Sequence, residues 1–129
     1  MENIRIDATE RTPEIDFNFQ KGVFLIKEES YPEDIIAFYN PIMDPLKKWL
    51  DSQRGSDIVF NFELIYFNSS SAKVLMDLFD MLDETAIHNK VILNWIYDAE
   101  DDNMEELGED FGEDLENATF NMVTMVAKE

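Results

Sequence analysis

The chain of 129 residues combines an apolar share of 45% with a formal net charge of −19, which indicates one folded domain with a single core rather than a disordered chain. It has no cysteine, which excludes disulfides and thiolate metal sites. No apolar run approaches the roughly 18 residues that span a bilayer, and the N-terminus lacks the apolar segment of a signal peptide, so we expect a cytoplasmic protein without membrane insertion.

The negative charge is concentrated in the last third of the chain. No Lys or Arg occurs between Lys90 and Lys128, while residues 98–116 contain eleven carboxylates. Such a field repels nucleic acid and anionic membranes, so we expect no nucleic-acid partner, and it attracts basic protein surfaces. A solubilising surface is the plainer explanation of the same charge, and both explanations stay open.

The first elements predicted along the chain are strands. We expect residues 1–12 to form a loose lead-in, because Thr12-Pro13 marks a boundary. Residues 14–28 hold two segments of alternating apolar and polar side chains on either side of Gly22. This pattern predicts a β-hairpin.

A helix is predicted to begin within residues 30–34, where a serine, a proline and two acids stand in the order of a first helical turn. Apolar residues at helical spacing continue to Asp51, and Pro41 and Pro45 predict either a kink or two consecutive short helices. The predicted core stripe of this segment consists of Ile35, Phe38, Ile42, Leu46, Trp49 and Leu50.

Three further strands and two further helices complete the predicted fold. Residues 58–66 and 91–97 alternate clearly, residues 120–126 do so more weakly, and helical spacing occurs over 72–86 and 101–111. Because the strands keep polar residues on one side, we expect one α/β domain with a mixed sheet of about five strands and helices mainly on one face. The buried face of the central strand is predicted to hold Ile58, Phe60, Phe62, Leu64 and Tyr66.

Three consecutive serines, Ser69, Ser70 and Ser71, stand where the central strand meets the next helix. The start of a helix has backbone N–H groups without partners, and these groups and the helix dipole both favour an anion such as a phosphate. Serine is also a preferred helix cap. The residues alone therefore leave a capping role and a phosphoacceptor role open.

Other chemistry lacks a complete set of residues. His88 is the only histidine, which excludes a Ser/His/Asp triad and a Cys/His metal site. No glycine-rich nucleotide-binding motif occurs, and Asp110-Phe111-Gly112 matches a kinase tripeptide without the other kinase motifs. The acids from Asp101 onward lack the glycine and glutamate of an EF-hand. We therefore expect neither an enzyme nor a bound cofactor or metal.

The sequence around the serines resembles that of a known family. Residues 66–80 (YFNSSSAKVLMDLFD) are similar to the Tyr-Leu-Asn-Thr-Ser-Ser…Met-Met-Asp-Ile-Phe-Asp signature of the SiaC biofilm-regulation phosphoproteins. The likeness extends to residues 30–33, 95–98 and 104–111 and covers roughly residues 10–126. The family is similar in outline to STAS (anti-anti-sigma) domains.

The resemblance implies a non-enzymatic switch in cyclic-di-GMP signalling. The unphosphorylated form would bind and activate a SiaD-like diguanylate cyclase, and a SiaB-like serine/threonine kinase and a SiaA-like PPM-type phosphatase would add and remove the phosphate. The phosphorylated threonine of the family falls on Ser69, which is therefore the expected phosphoacceptor. Asn68, Ser70 and Ser71 match neighbouring positions that would shape the turn and its partner contacts.

Three other functions stay open as alternatives. The first is a STAS-like, anti-anti-sigma-type partner of a regulatory serine kinase that controls transcription. The second is an enzyme that uses acidic residues with a divalent metal. The third is an acidic scaffold or nucleic-acid mimic, whose binding would weaken with salt.

Overall fold

The structure is a computed structural model, and it describes residues 1–125. Within that range six strands and three helices follow one another. In chain order they are β1 (Ile4–Ile6), β2 (Glu14–Asn18), β3 (Val23–Ser30), α1 (Ile35–Asp51), β4 (Asp57–Phe67), α2 (Ser69–Thr85), β5 (Lys90–Asp98), α3 (Asp102–Gly112) and β6 (Thr119–Met125).

All six strands form one mixed sheet in the order β1-β2-β3-β4-β5-β6. The first three strands are antiparallel, which confirms the predicted hairpin, and β3 to β6 are parallel. Each parallel step crosses through one helix and moves in the same direction along the sheet, so right-handed crossovers place α1, α2 and α3 on the same face. The expected mixed α/β domain is confirmed, with six strands instead of about five.

The additional strand, β1, corrects the expectation of a loose lead-in over residues 1–12. Ile4 and Ile6 pair with β2 and pack partly buried against the core. Arg5 points to the other face of the sheet, where its Nη1 donates to Asp16 Oδ2 at 3.1 Å. Three residues are too few to show a strand period in the sequence, so this pairing comes from tertiary contacts.

The core lies between the three helices and the covered face of the sheet. Alternate strand residues are buried there, and the rings of Phe24, Phe60 and Phe62 stack in a row with centroid separations of 5.4 and 4.8 Å. Phe120 and Met122 of β6 are partly buried against the same core, as predicted, while Val126 lies outside the described residues.

Tyr66 is not on the buried face where the alternation predicts it, and half of its surface is exposed. The pairing of β3 with β4 jumps from Glu28–Leu64 to Glu29–Tyr66. Ile65 is the extra residue of this β-bulge, which reverses the alternation of buried and exposed side chains in the last residues of β4. Ile65 and Tyr66 therefore both face solvent.

Helix α1 differs from its prediction at its start and at its prolines. Its N-cap is Asp34, whose Oδ1 accepts from the Ala37 backbone N–H at 3.1 Å, while Ser30 ends β3. The helix is continuous through Pro41 and Pro45, so two short helices do not form. Pro41 lies on the exposed side, where water can bind the Ala37 carbonyl that loses its helical partner.

Helices α2 and α3 form where the sequence predicts them. Leu75, Leu78, Phe79 and Leu82 of α2 are buried. Helix α3 lies close to β5 because Gly108 has no side chain; a Cβ at this position would collide with the indole ring of Trp95. In the part of the chain that the structure describes, no helix is both long and apolar enough to cross a bilayer.

Candidate functional site

The strand-to-helix turn with the three serines lies at the carboxyl edge of the parallel strands. Asn68 is the N-cap of α2, and its Oδ1 accepts from the Ser71 backbone N–H at 3.0 Å. The Asn68 backbone N–H donates to the Ser30 carbonyl at the end of β3, at 3.2 Å. The cap is thus Asn68, and the serines form the first turn of α2, so none of them is needed as the cap.

The three serines differ in their access to solvent. Ser69 and Ser70 are exposed, whereas Ser71 is fully buried. A kinase must reach the hydroxyl that it modifies, so the geometry leaves Ser69 and Ser70 as possible acceptors. The Ser71 side chain lies inside the protein, so it shapes the turn from within, and its effect on partner contacts stays a prediction.

A buried cluster of three hydroxyls fixes the turn from below. Ser71 Oγ lies 2.9 Å from Ser30 Oγ, and Ser30 Oγ lies 2.5 Å from the Tyr39 hydroxyl. The cluster joins the end of β3, helix α1 and the start of α2. Burial raises the pKa of the Tyr39 phenol, and hydrogen bonding within the cluster opposes this effect without cancelling it. Tyr39 is therefore neutral at physiological pH.

Ser30 and Tyr39 were not predicted as part of the site. They are separated by nine residues from each other, and Ser30 is 41 residues from Ser71, so no local pattern connects them. Phe38 was predicted in the core, yet it is only partly buried while Tyr39 is fully buried. For Ser71 a signal was present, since it precedes Leu75 and Leu78 by one and two helical turns and so belongs to the core stripe.

The two exposed serines face different neighbours around the axis of α2. At 3.6 residues per turn, Ser69 is within about 20° of Met76 and Asp80, and Ser70 is within about 20° of Met81. Met81 lies on the side of α2 that faces α1, where residues of both helices line a common cavity. Ser69 is therefore aligned with the solvent-exposed stripe next to α3, and Ser70 with the stripe next to α1.

A groove of about 390 Å³ runs between α2 and α3, and we call it the α2–α3 groove. Its floor is apolar and its remaining lining is acidic. The apolar residues are Ala72, Met76, Phe79, Leu107, Phe111 and Leu115, and the acidic residues are Asp80, Asp83, Asp110 and Asp114.

Asp83 holds together the end of this groove that lies beside the C-terminal part of α2. Its Oδ1 accepts from the backbone N–H groups of Asn117 at 2.8 Å, Ala118 at 2.9 Å and Glu116 at 3.1 Å. Burial would raise the pKa of Asp83, but these three hydrogen bonds outweigh it, and the pKa lies below its usual value. The connection from α3 to β6 is thereby held against α2.

Two exposed apolar side chains precede the serine turn at the end of β4. Ile65 and Tyr66 each expose half of their surface, and the Tyr66 ring packs edge-on against Tyr31 at 5.6 Å. Such residues indicate a protein–protein surface more than a small-molecule site. Within residues 1–125 no group of three or more His, Cys, Asp or Glu side chains is placed to hold a metal ion.

The comparisons with known proteins identify the family. A family model described as "SiaC family regulatory phosphoprotein" matches residues 6–125. The chain belongs to the SiaC family. A protein of Pseudomonas aeruginosa (strain UCBPP-PA14) is 34% identical over 116 residues, which cover 88% of this chain and 90% of the relative.

Solved SiaC structures share the fold over nearly the whole chain. The crystal structure of apo-SiaC from Pseudomonas aeruginosa has a TM-score of 0.82 at 30% identity and covers 98% of this chain and 100% of that one. The crystal structure of the diguanylate cyclase SiaD in complex with its activator SiaC, from the same organism, matches with a TM-score of 0.87 at 29% identity, covering 95% of this chain and 99% of that one. This chain thus has the fold of a SiaC regulatory phosphoprotein.

Proposed function

We propose that the protein is a non-enzymatic phospho-switch, which binds and activates a diguanylate cyclase while Ser69 is unmodified and releases it when Ser69 is phosphorylated. The observation that carries the proposal is the TM-score of 0.87 with a structure described as SiaD in complex with its activator SiaC. This relationship favours cyclic-di-GMP signalling and biofilm control over an anti-anti-sigma-type role in transcription.

Ser69 is the proposed acceptor because it combines access with position. It is exposed and is the first residue of α2, whereas Ser71 is fully buried. Ser70 is also exposed but lies on the α1 side of the helix. The family signature, which has threonine at the position of Ser69, supports the same choice.

Phosphate at Ser69 adds about 1.5 to 2 negative charges at the N-terminus of α2. The helix dipole and the free N–H groups of the first turn favour charge of this sign. Lys73, four residues later and exposed, is placed to pair with the phosphate as an i,i+4 neighbour. The fold therefore tolerates the modification, and the change is one of surface: a bulky, hydrated dianion now occupies a position that a partner would cover.

The proposal requires two enzymes that act on this turn in the cytoplasm. A serine/threonine kinase transfers the γ-phosphoryl group of ATP to Ser69 Oγ; the bond between the γ-phosphorus and the bridging oxygen breaks, ADP leaves and the hydroxyl loses its proton. A PPM-type phosphatase returns the serine by hydrolysis, with water supplying the oxygen of the released phosphate. The exposed hydroxyl at a helix start suits both reactions.

The test is a cyclase activation assay with a diguanylate cyclase from the same organism. We expect wild type and Ser69→Ala to activate cyclic-di-GMP synthesis and Ser69→Asp, or protein phosphorylated at Ser69, to lose activation. Gln20→Glu, which adds one negative charge at the β2–β3 turn, is the control and should activate like wild type. Equal activation by all forms would overturn the switch, and no activation by wild type would overturn the cyclase as partner.

A further inference from the structure

The floor of the α2–α3 groove is apolar surface that no described residue covers. Met76 has 54% of its surface exposed, and the Phe111 ring, which is half-buried, lies 5.4 Å from that of Phe79. Aromatic and methionine side chains in a groove of this kind are typical anchor positions for a partner. The groove is therefore suited to receive apolar side chains from outside.

The charges along the groove restrict what can enter it. Asp80 and Asp83 stand on α2, and Asp110 and Asp114 on the opposite side, with no Lys or Arg in the described lining. A partner that covers four carboxylates must supply positive charge, because burying them unpaired would be costly. Acidic peptides, phosphopeptides and anionic lipid are disfavoured for the same reason.

The backbone that forms the groove selects a helix over an extended peptide. One wall is α2 and the other is α3 with the short turn that follows it, so neither wall offers a free strand edge. An extended peptide would lose backbone hydrogen bonds to water on entering the groove, while a helix pairs its own. The stretch from Ala72 to Asp83 is about 16 Å long, or roughly three helical turns, which is enough for a packed helix–helix contact.

The two ends of the groove differ in character, one being acidic and the other apolar. Its acidic residues lie towards the C-terminal end of α2, where Asp83 holds the α3–β6 connection. Ala72 and Met76 form an apolar end, and Ser69 precedes them by one and two turns on the same side of α2. A phosphate on Ser69 therefore appears at the apolar end, far from the acids.

We infer that the α2–α3 groove is the docking site for an amphipathic helix of the partner, with an apolar stripe along the floor and Lys or Arg beside Asp80, Asp83, Asp110 and Asp114. This inference rests on the proposed function, which supplies the partner. It also explains why phosphorylation opposes a basic partner: a dianion at the apolar end must be dehydrated beneath apolar side chains, and its attraction for distant cations does not compensate. Phosphate on Ser70, on the α1 side, does not obstruct this path.

The first experiment measures binding to a probe that does not depend on the cyclase. A synthetic helical peptide with a leucine stripe and flanking lysines is titrated against the full chain, beside a peptide that carries glutamates in place of the lysines. We expect only the lysine peptide to bind, and Met76→Glu to weaken it by about tenfold or more. Ile36→Glu adds the same charge at an equally exposed apolar residue of α1 and should leave the affinity within about twofold.

The second experiment repeats these variants with the cyclase and adds two aspartate variants. Met76→Glu and Ser69→Asp should lose activation, and Ile36→Glu should keep it. Asp110→Asn combined with Asp114→Asn removes two rim charges without touching the floor, and it should weaken binding of both the lysine peptide and the cyclase. This double variant replaces Met76→Glu as the test if Met76→Glu proves unstable.

The outcomes separate the groove from the switch. If wild type activates the cyclase and Met76→Glu activates equally, the groove is not the docking site and the proposed function stands. If wild type does not activate, the proposed function fails, while peptide binding still decides whether the groove takes a basic helix. Equal weakening by Met76→Glu and Ile36→Glu would mean that net charge alone governs binding, which would overturn the inference.

Discussion

Ser30 Oγ lies 2.9 Å from Ser71 Oγ, and both side chains are fully buried. Two hydroxyls that the chain separates by 41 residues thus join the end of β3 to the first turn of α2 directly beneath the exposed Ser69. The helical turn that carries the exposed Ser69 is thus anchored through the buried Ser71 two residues later. Ser69 is exposed and Ser71 is buried because they lie on opposite sides of the same helical turn.

The order of stability within this cluster is a first prediction. Ser30 is the middle member, so Ser30→Ala leaves both Tyr39 and Ser71 without their hydroxyl partner, whereas Ser71→Ala leaves the Ser30–Tyr39 pair intact. We expect Ser71→Ala to lower the free energy of unfolding by about 1 kcal/mol and Ser30→Ala by about 2 to 3 kcal/mol. Urea unfolding gives these values, and Ser70→Ala, at an exposed position, should stay within about 0.5 kcal/mol of wild type. The reverse order for Ser30 and Ser71 would contradict the cluster.

Much of the fold was predictable because its strands are half-buried. Ile15 and Phe17 alternate with polar residues in the sequence and are fully buried in the structure, since each strand has the helices on only one side. The predictions that were wrong for Tyr66 and for residues 1–12 have local causes. The β-bulge at Ile65 reverses the alternation before Tyr66, and β1 is too short to show a period.

The candidate site was predictable in its position and less so in its detail. The serine run is visible in the sequence, and the family resemblance selects Ser69, but the buried role of Ser71 depends on Ser30 and Tyr39, which only the tertiary fold brings to it. The α2–α3 groove depends in the same way on Gly108, whose missing side chain lets α3 approach β5. The residue pattern within one helix or strand does not show which distant segment of the chain it will contact.

The close approach at Gly108 gives a second prediction. Gly108→Ala places a Cβ against the Trp95 ring, and relief of the clash must move α3 away from β5. We expect a loss of about 1 to 3 kcal/mol in the free energy of unfolding, together with a change in Trp95 fluorescence and weaker binding in the groove. Glu109→Ala, an exposed neighbour on α3, is the matched control. Unchanged stability in Gly108→Ala would mean that α3 does not lie this close to the sheet.

Helix α1 gives a third prediction, which tests its continuity. If the helix runs through Pro41, then Pro41→Ala restores the hydrogen bond to the Ala37 carbonyl and removes a steric conflict in a helix interior. We expect stabilisation by about 1 kcal/mol or more, measured as a higher urea midpoint with an unchanged slope. Pro32→Ala, outside the helix, should not stabilise. A loss of stability in Pro41→Ala would indicate a break in the helix at this position.

The carboxylate of Asp83 gives the last prediction, in which pH is the variable. Its pKa is lower in the folded protein than in the unfolded chain, because three backbone N–H groups bind the charged form in spite of its partial burial. A depressed folded pKa contributes stability that is present above the unfolded value of about 3.9 and is lost as the pH falls through the folded value. Asp83→Asn should therefore unfold at lower denaturant than wild type at pH 7, with the difference shrinking below about pH 4. Asp77→Asn, an exposed change on the same helix, is the control for the loss of one charge. A difference between Asp83→Asn and wild type that stays constant from pH 7 to below pH 4 would show that the loop at residues 116–118 is held by contacts other than this charge.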